Sequence, residues 1–188
     1  MRKVADPHLS RSRSTGETKP LRVVGNKLVL GWKESVVLPD LGNIRLPAKL
    51  DTGARTSALH AVGMNYSKSR SAMWIEFELP DIDQALRHRF RLPVAEHRSV
   101  KSSTGMAQIR PVVILTLRLA DQVWSTEVTL TDRSDMELPM LIGRSALKGK
   151  FLVDPSRTRL AGPISSTNHV GAPVRKTVIK KPERTPQT

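Results

Sequence analysis

The spacing of apolar residues between residues 28 and 153 constrains the fold most strongly. Apolar and polar residues alternate there over short runs, and Gly, Pro, Asn and Asp stand between the runs. A period of two places one face of a strand in a core and the other in solvent. Many short strands joined by small turns indicate a barrel or a sandwich. The chain is therefore expected to be mainly β.

Individual segments follow this pattern closely enough to be assigned. The predicted strands are Leu28–Leu38, Ile44–Leu50, Met73–Leu79, Arg87–Val94, Gln108–Leu119, Val123–Thr131 and Lys150–Val153. The stretches "PDLGNI" and "LADQV" are predicted turns. One short helix is predicted over Arg144–Lys150, directly after a glycine, and no repeat of solenoid or propeller length is present.

The basic residues are concentrated at the two ends of the chain. The net charge is +14; residues 1–27 carry seven basic and two acidic residues, and residues 163–188 carry five and one, so nine of the fourteen charges lie there. Both ends are rich in Ser, Thr and Pro and show no apolar period, which predicts disordered tails around one domain at 28–162. Such tails favour solubility and could contact nucleic acid or an anionic surface weakly.

Several classes of protein and site are disfavoured by composition. The 188 residues include no cysteine, and no apolar run reaches the roughly 18 residues of a membrane span, so we expect a soluble, cytoplasmic protein. The five histidines are scattered, without an HExxH pattern, and predict no metal site. "GRSALKGKF" departs from a phosphate loop in spacing and has Phe151 where Ser or Thr should stand. No cofactor is expected.

The stretch "AKLDTGARTSALHA" places Asp51 at the end of an apolar run, followed at once by Thr52 and Gly53. A tight turn of this kind can expose a carboxylate while backbone N–H groups approach it, and Gly53 permits that approach. Peptide hydrolysis through activated water also needs an acid, which two adjacent carboxylates provide by sharing one proton. Since the chain has one such turn, a second copy would supply the partner across a twofold axis. The alternative is an aspartate that only caps a turn.

"LDTGA" together with "PMLIGRSAL" resembles the retropepsin-type aspartic peptidases. The blocks "GWKESVVLPDLG", "RPVVILTL", "TEVTLTDRSDM" and "LIGRSALKGKFLVDPSR" resemble more closely a bacterial family labelled ATP-dependent zinc proteases, which is also described as retropepsin-like. The resemblance covers Leu30 to Arg157. It implies a closed retropepsin-like β-barrel with one short helix after the glycine motif, and a homodimeric aspartic endopeptidase.

The resemblance also implies roles for individual residues. Asp51 matches the catalytic aspartate, and the active-site loop continues through Thr52, Gly53 and Ala54. The Thr52 hydroxyl would bond across the dimer and brace the two loops. The hydrophobic-hydrophobic-Gly motif, which packs beneath this loop in the family, matches Leu141, Ile142, Gly143 and the following Arg144.

Two further features bear on substrate binding. Retropepsins close a glycine-bearing hairpin over substrate, and "HRSVKSSTGMAQIRP", with Gly105 at its tip, is the candidate; an ordinary hairpin loop is the alternative. Retropepsins commonly carry acidic residues after DTGA that pair with the arginine of the glycine motif. Here Arg55 and Thr56 stand instead, so Arg144 would lack that partner. Arg55 would make the cleft cationic and favour acidic substrates.

The sequence thus predicts an aspartic endopeptidase that cleaves a peptide or protein substrate. One alternative is a catalytically inactive retropepsin-like domain that binds peptides or assembles with partners, and a weaker one is a zinc-dependent hydrolase. In the family, an association with ATP-grasp ligases that add glutamate would make acidic tails a possible substrate. The acidic "DRSDMELP" lacks the spacing and central glycine of a calcium loop and is predicted to be a solvated loop.

Overall fold

The computed structural model of the chain describes residues 21–69, 72–80, 88–101 and 105–162. A short 3-10 turn at Pro39–Leu41 follows the second strand. In chain order the strands and the helix are β1 (Val23–Val24), β2 (Lys27–Leu38), β3 (Ile44–Asp51), β4 (Ser57–His60), β5 (Val62–Ser69), β6 (Ala72–Leu79), β7 (His88–Pro93), β8 (Glu96–Lys101), β9 (Ala107–Leu119), β10 (Gln122–Thr131), β11 (Met140–Gly143), α1 (Arg144–Leu147) and β12 (Phe151–Thr158).

The main sheet follows the order β1-β2-β3-β11-β4-β10-β9-β8, and β12 pairs with β2. It closes into a ring where Val37 of β2 lies opposite Arg118 of β9. Since this closure rests on one residue pair, the ring is an irregular barrel, and the prediction of a mainly β, retropepsin-like fold is confirmed. The interior is filled by aliphatic side chains, among them the fully buried Leu30, Leu38, Leu59, Leu115, Leu130 and Ile142.

A second sheet is formed by β5, β6 and β7, which lie in sequence between the DTG motif and the glycine motif. Its inner face joins the main core through Ile75 and Phe77, both fully buried, and the Phe77 ring lies 5.9 Å from that of Phe90. Its outer face carries ion pairs, such as Arg89 with Glu78 at 3.0 Å. The sheet thus extends the core on one side and meets solvent on the other.

All seven predicted strands are present, as β2, β3, β6, β7, β9, β10 and β12. The prediction missed β4 and β11, which have only four residues each and are largely buried on both faces, so their sequences do not alternate. It also missed β5 and β8. The predicted helix over Arg144–Lys150 was too long: Lys148 leaves the helical conformation and Gly149 has a φ of 82°.

The fold begins before the predicted boundary at residue 28. Val23 and Val24 form β1 and pair with the start of β2, so this part of the predicted N-terminal tail is structured. Residues 1–20, which are most of the predicted N-terminal tail, and residues 163–188, the whole predicted C-terminal tail, lie outside the described residues. Within the described ranges, no helix has the length and apolar character needed to cross a membrane.

Candidate active site

Asp51 is the last residue of β3, and the loop after it folds back over its carboxylate. Oδ1 accepts hydrogen bonds from the backbone N–H groups of Gly53, at 3.0 Å, and Ala54, at 3.1 Å. A Cβ on Gly53 would lie 3.2 Å from the same oxygen, which is tighter than an ordinary contact. The side chain of Asp51 remains 22% exposed. The loop therefore fixes the carboxylate without covering it, as the sequence predicts.

The second carboxylate oxygen of Asp51 faces a cation. Lys49 Nζ lies 3.2 Å from Oδ2, because residues two apart on a strand point to the same side. Burial raises the pKa of the Asp51 carboxyl, but the Ala54 N–H, Lys49 and the Gly53 N–H together outweigh burial and hold the pKa below its ordinary value of 3.8. In one chain at neutral pH, Asp51 is therefore an ionised carboxylate.

The glycine motif lies directly beside this loop. Strand β11 runs parallel to β3, with Gly143 in register with Asp51 and Ile142 with Leu50. A Cβ on Gly143 would lie 2.5 Å from the carbonyl carbon of Thr56, so the loop crosses Gly143 at a distance that only glycine allows. The Gly143 N–H donates to Ser57 Oγ at 3.1 Å, in a buried position.

The helix after the motif, α1, holds the same loop through hydrogen bonds. The backbone N–H groups of Arg144 and Ser145 donate to the carbonyls of Ala54, at 2.8 Å, and Arg55, at 3.0 Å. The Arg144 guanidinium also donates to the Thr52 carbonyl at 2.8 Å. The acidic partner that the sequence lacks is thus replaced by the backbone of the loop itself.

A family model described as the retropepsin-like aspartic endopeptidase RimB matches residues 29–163. The chain belongs to the RimB-like family of retropepsin-like aspartic endopeptidases. The resemblance noted in the sequence is thereby confirmed. The two motifs of that resemblance are the ones that meet at Asp51 and Gly143 in the structure.

Individual relatives add detail to the RimB-like assignment. Proteins named probable alpha-L-glutamate ligase from Shewanella pealeana and Desulfotalea psychrophila are 37% and 33% identical over 73% and 74% of this chain. The chain spans only 30% of the length of each of these relatives. A crystal structure of a Legionella pneumophila protein of unknown function matches 71% of this chain and 97% of its own, with 30% identity and a TM-score of 0.59.

The predicted flap region of this RimB-like chain forms a β-hairpin. Strands β8 and β9 pair antiparallel from Glu96 opposite Val112 to Lys101 opposite Ala107. Gly105, in the connection, has a φ of 84°, a backbone conformation that favours glycine. Close to this connection, Met106 and Ile109 are 74% and 73% exposed, which is unusual for large apolar side chains. The hairpin is observed, while its role over substrate stays a prediction.

The base of this hairpin is tied to the barrel by charge. Arg98 of β8 pairs with Glu127 of β10 at 2.8 Å and also with Glu96. Arg98 lowers the pKa of Glu127 most, and Arg55 lowers it further, which places the Arg55 charge near Glu127. Arg55 and Thr52 are both exposed in the single chain. Their predicted contacts, with substrate and with a second chain, stay predictions.

Arg133, just beyond β10, is a cation near Asp51 that sequence reasoning did not identify. Its Nε is buried without a hydrogen-bond partner among the described residues. Burial lowers the pKa of Arg133, Arg110 lowers it further, and the Asp51 carboxylate acts in the opposite direction. Lys49 and Ser57 were also missed. Of these residues, only Lys49 could have been found from the sequence, because it lies two residues before Asp51 on a strand and so points to the same side.

Two pockets, of about 480 and 470 Å³, share Arg45, Leu46 and Pro47 in their linings. Asp51 lines neither. The second pocket is also lined by Arg133 and by His60, whose Nδ1 accepts the Arg133 N–H at 2.9 Å. His60 therefore caps the loop after β10. Across the described residues, no group of three or more His, Asp or Glu could hold a metal ion.

Proposed function

We propose that this chain is an aspartic endopeptidase that works as a homodimer, with Asp51 of each chain meeting its counterpart across a twofold axis. The supporting observation is the fixed carboxylate of Asp51, held by the Gly53 and Ala54 N–H groups while its side chain stays partly exposed. One chain supplies one such carboxylate, and membership of a family of aspartic endopeptidases favours a paired arrangement.

In the proposed dimer the two carboxylates hold one proton between them, because like charges at close range cannot both ionise easily. The ionised carboxylate takes a proton from water as the water oxygen bonds to the scissile carbonyl carbon. The protonated carboxyl gives its proton to the carbonyl oxygen, forming a neutral diol. The carboxyl that took the water proton then gives it to the amide nitrogen as the C–N bond breaks. One diol hydroxyl returns its proton to the other carboxylate, so a carboxylic acid and an amine leave and the pair again holds one proton.

We also propose that the substrate is acidic. Two observations favour this substrate class: the cations Lys49 and Arg133 lie near Asp51, and relatives of this chain are named glutamate ligases. A chain carrying added glutamates would bring negative charge to a cationic site, where the two attract. Arg55, exposed on the active-site loop, would add to this attraction.

The central test is the Asp51→Asn variant, assayed on a peptide library from pH 3 to 8. We expect it to fold and dimerise as the wild type does while cleavage is lost. Adding it to a fixed amount of wild-type protein should reduce activity further than dilution alone, because mixed dimers hold one ionisable Asp51. A monomeric enzyme would show no such inhibition.

Other outcomes identify the competing functions. If the Asp51→Asn variant still cleaves and a chelator stops it, the protein is a zinc hydrolase. If the wild type binds peptides but cleaves none across this pH range, it is an inactive binding domain. Charge reversal at Arg55 should lower the preference for acidic over neutral peptides, and an unchanged preference would remove Arg55 from the proposal.

A further inference from the structure

Lys49 is the cation in direct contact with the candidate catalytic carboxylate. Its Nζ lies 3.2 Å from Asp51 Oδ2, the oxygen that the loop N–H groups leave unoccupied. The Lys49 side chain is 49% exposed, so its ammonium is open to other ligands as well as to Asp51. An ion pair this exposed contributes little stabilisation, so exchanging one carboxylate for another costs little.

Two other cations, Lys33 and Arg144, are bound to other partners. Lys33 of β2 lies opposite Lys49 across the strands, but its Nζ is bound to Glu137 at 2.6 Å. The Arg144 guanidinium donates to the Thr52 carbonyl. Lys49, in direct contact with Asp51 and 49% exposed, is therefore better placed than Lys33 or Arg144 to serve both Asp51 and an incoming acidic group.

Further charges near the loop lie on β9, on and just after β10, and on the loop itself. The charge of Arg133, just after β10, interacts with that of Asp51 and with that of Arg110 on β9. The charge of Arg55, on the loop itself, interacts with that of Glu127 on β10. These groups keep the surroundings of Asp51 cationic when Lys49 is changed, so they form a constant background in a comparison of Lys49 variants.

We propose that Lys49 is a specificity-determining residue. Its ammonium gives up its ion pair with Asp51 and binds the acidic side chain of a substrate residue next to the scissile bond. The inference rests on the proposed peptidase function, because the scissile bond must lie at Asp51. A substrate carboxylate close to that bond is within reach of the Lys49 ammonium. A neutral substrate side chain has no negative charge for Lys49 to bind, so Lys49 then remains paired with Asp51.

This exchange has a consequence for the pH dependence of cleavage. A cation on Asp51 favours the fully ionised pair of carboxylates, whereas the proposed reaction needs one shared proton. When the carboxylate of an acidic substrate binds Lys49, the two Asp51 carboxylates of the dimer keep their shared proton up to a higher pH. Acidic peptides should therefore be cleaved at higher pH than neutral ones, and losing Lys49 should extend the cleavage of neutral peptides upward in pH.

The test compares wild type, Lys49→Met and Lys33→Met on two peptides that differ only by Glu or Gln beside the cleaved bond. Lys33→Met is a matched control, since it removes the lysine opposite Lys49 on the neighbouring strand. Lys49→Met should lower the Glu-to-Gln ratio of kcat/KM about tenfold, and Lys49→Arg should restore it. With the Gln peptide, only Lys49→Met should shift the alkaline limb of the pH profile of kcat/KM to higher pH.

A second measurement does not depend on turnover. In an Asp51→Asn background, calorimetric binding of the Glu peptide should weaken about tenfold on adding Lys49→Met, while binding of the Gln peptide should not change. Equal ratios in wild type and Lys49→Met, or the same loss in Lys33→Met, would overturn the inference. Cleavage that survives Asp51→Asn would instead overturn the proposed function, so the two failures are distinguishable.

Discussion

Gly143 lies in register with Asp51 across the parallel strands β3 and β11, and the space left by its missing side chain is occupied by the backbone of Thr56. The candidate catalytic loop is therefore positioned by a close backbone contact rather than by a side chain. The glycine motif and the DTG motif are more than 80 residues apart in sequence and form one unit in the fold.

Gly143→Ala is expected to displace this loop. The new Cβ would meet the Thr56 carbonyl carbon at 2.5 Å, and backbone atoms must shift to relieve the overlap. We expect cleavage to be lost and the free energy of unfolding to fall by about 1–3 kcal/mol. Urea denaturation and peptide assays measure both effects. Ser145→Ala, an exposed change in α1, is the control, and wild-type activity in Gly143→Ala would contradict the prediction.

Ser57→Ala removes the acceptor for a buried backbone group. Ser57 Oγ accepts the Gly143 N–H at 3.1 Å, and the serine is only 1% exposed, so water cannot replace it. Leaving this N–H unpaired should lower the free energy of unfolding by about 1–3 kcal/mol. The exposed strand residue Ser125, changed to Ala, should have an effect of less than about 0.5 kcal/mol. Equal effects of the two changes would show that the hydrogen bond is unimportant.

Glu34→Ala is expected to detach the segment that follows β12. The Glu34 carboxylate, 2% exposed, accepts N–H groups from Gly31 at 2.7 Å, Leu160 at 2.9 Å and Ala161 at 3.1 Å. Losing a buried acceptor of three donors should destabilise the fold by about 3 kcal/mol or more. Glu34→Gln keeps one acceptor oxygen and should cost less. Amide hydrogen exchange at residues 160 and 161 should accelerate in Glu34→Ala, and unchanged protection there would contradict the prediction.

The lowered pKa of Asp51 predicts a dependence of stability on pH. A carboxyl whose pKa is lower in the folded chain than in the unfolded chain stabilises the fold above the unfolded value, and this stabilisation is lost as pH falls through the folded value. Burial opposes the shift, while the Ala54 N–H, Lys49 and the Gly53 N–H produce it. The window therefore lies at and below the ordinary value of 3.8.

Urea unfolding of wild type and Asp51→Asn at pH 6 and at about pH 2 measures this contribution, at protein concentrations low enough to keep the chains apart. The stability difference in favour of the wild type should be larger at pH 6, since asparagine carries no charge to lose. A difference that does not change with pH would show that the pKa of Asp51 is not lowered in the folded chain. Lys49→Met should reduce the effect, because it removes one of the groups that lower the pKa.

The sequence by itself determined the fold class and the candidate catalytic centre. Alternation along β2, β3, β9 and β10 is a local pattern, and each strand could be predicted from its own residues. The turn after Asp51 is also local, because its Oδ1 is bound by the N–H groups of residues two and three positions on. The short strands β4 and β11 escaped prediction because both of their faces are largely buried, which removes the alternation.

Only the tertiary structure decided what surrounds the carboxylate. Ser57 meets Gly143, and Arg133 approaches Asp51, through pairings between segments distant in the chain, and no local pattern encodes those contacts. The same holds for Arg144. Its partner is a backbone carbonyl, which every residue carries, so no residue type in the sequence marks the contact. A strand's period fixes which of its residues face inward, whereas the neighbours they meet depend on how all the strands pair.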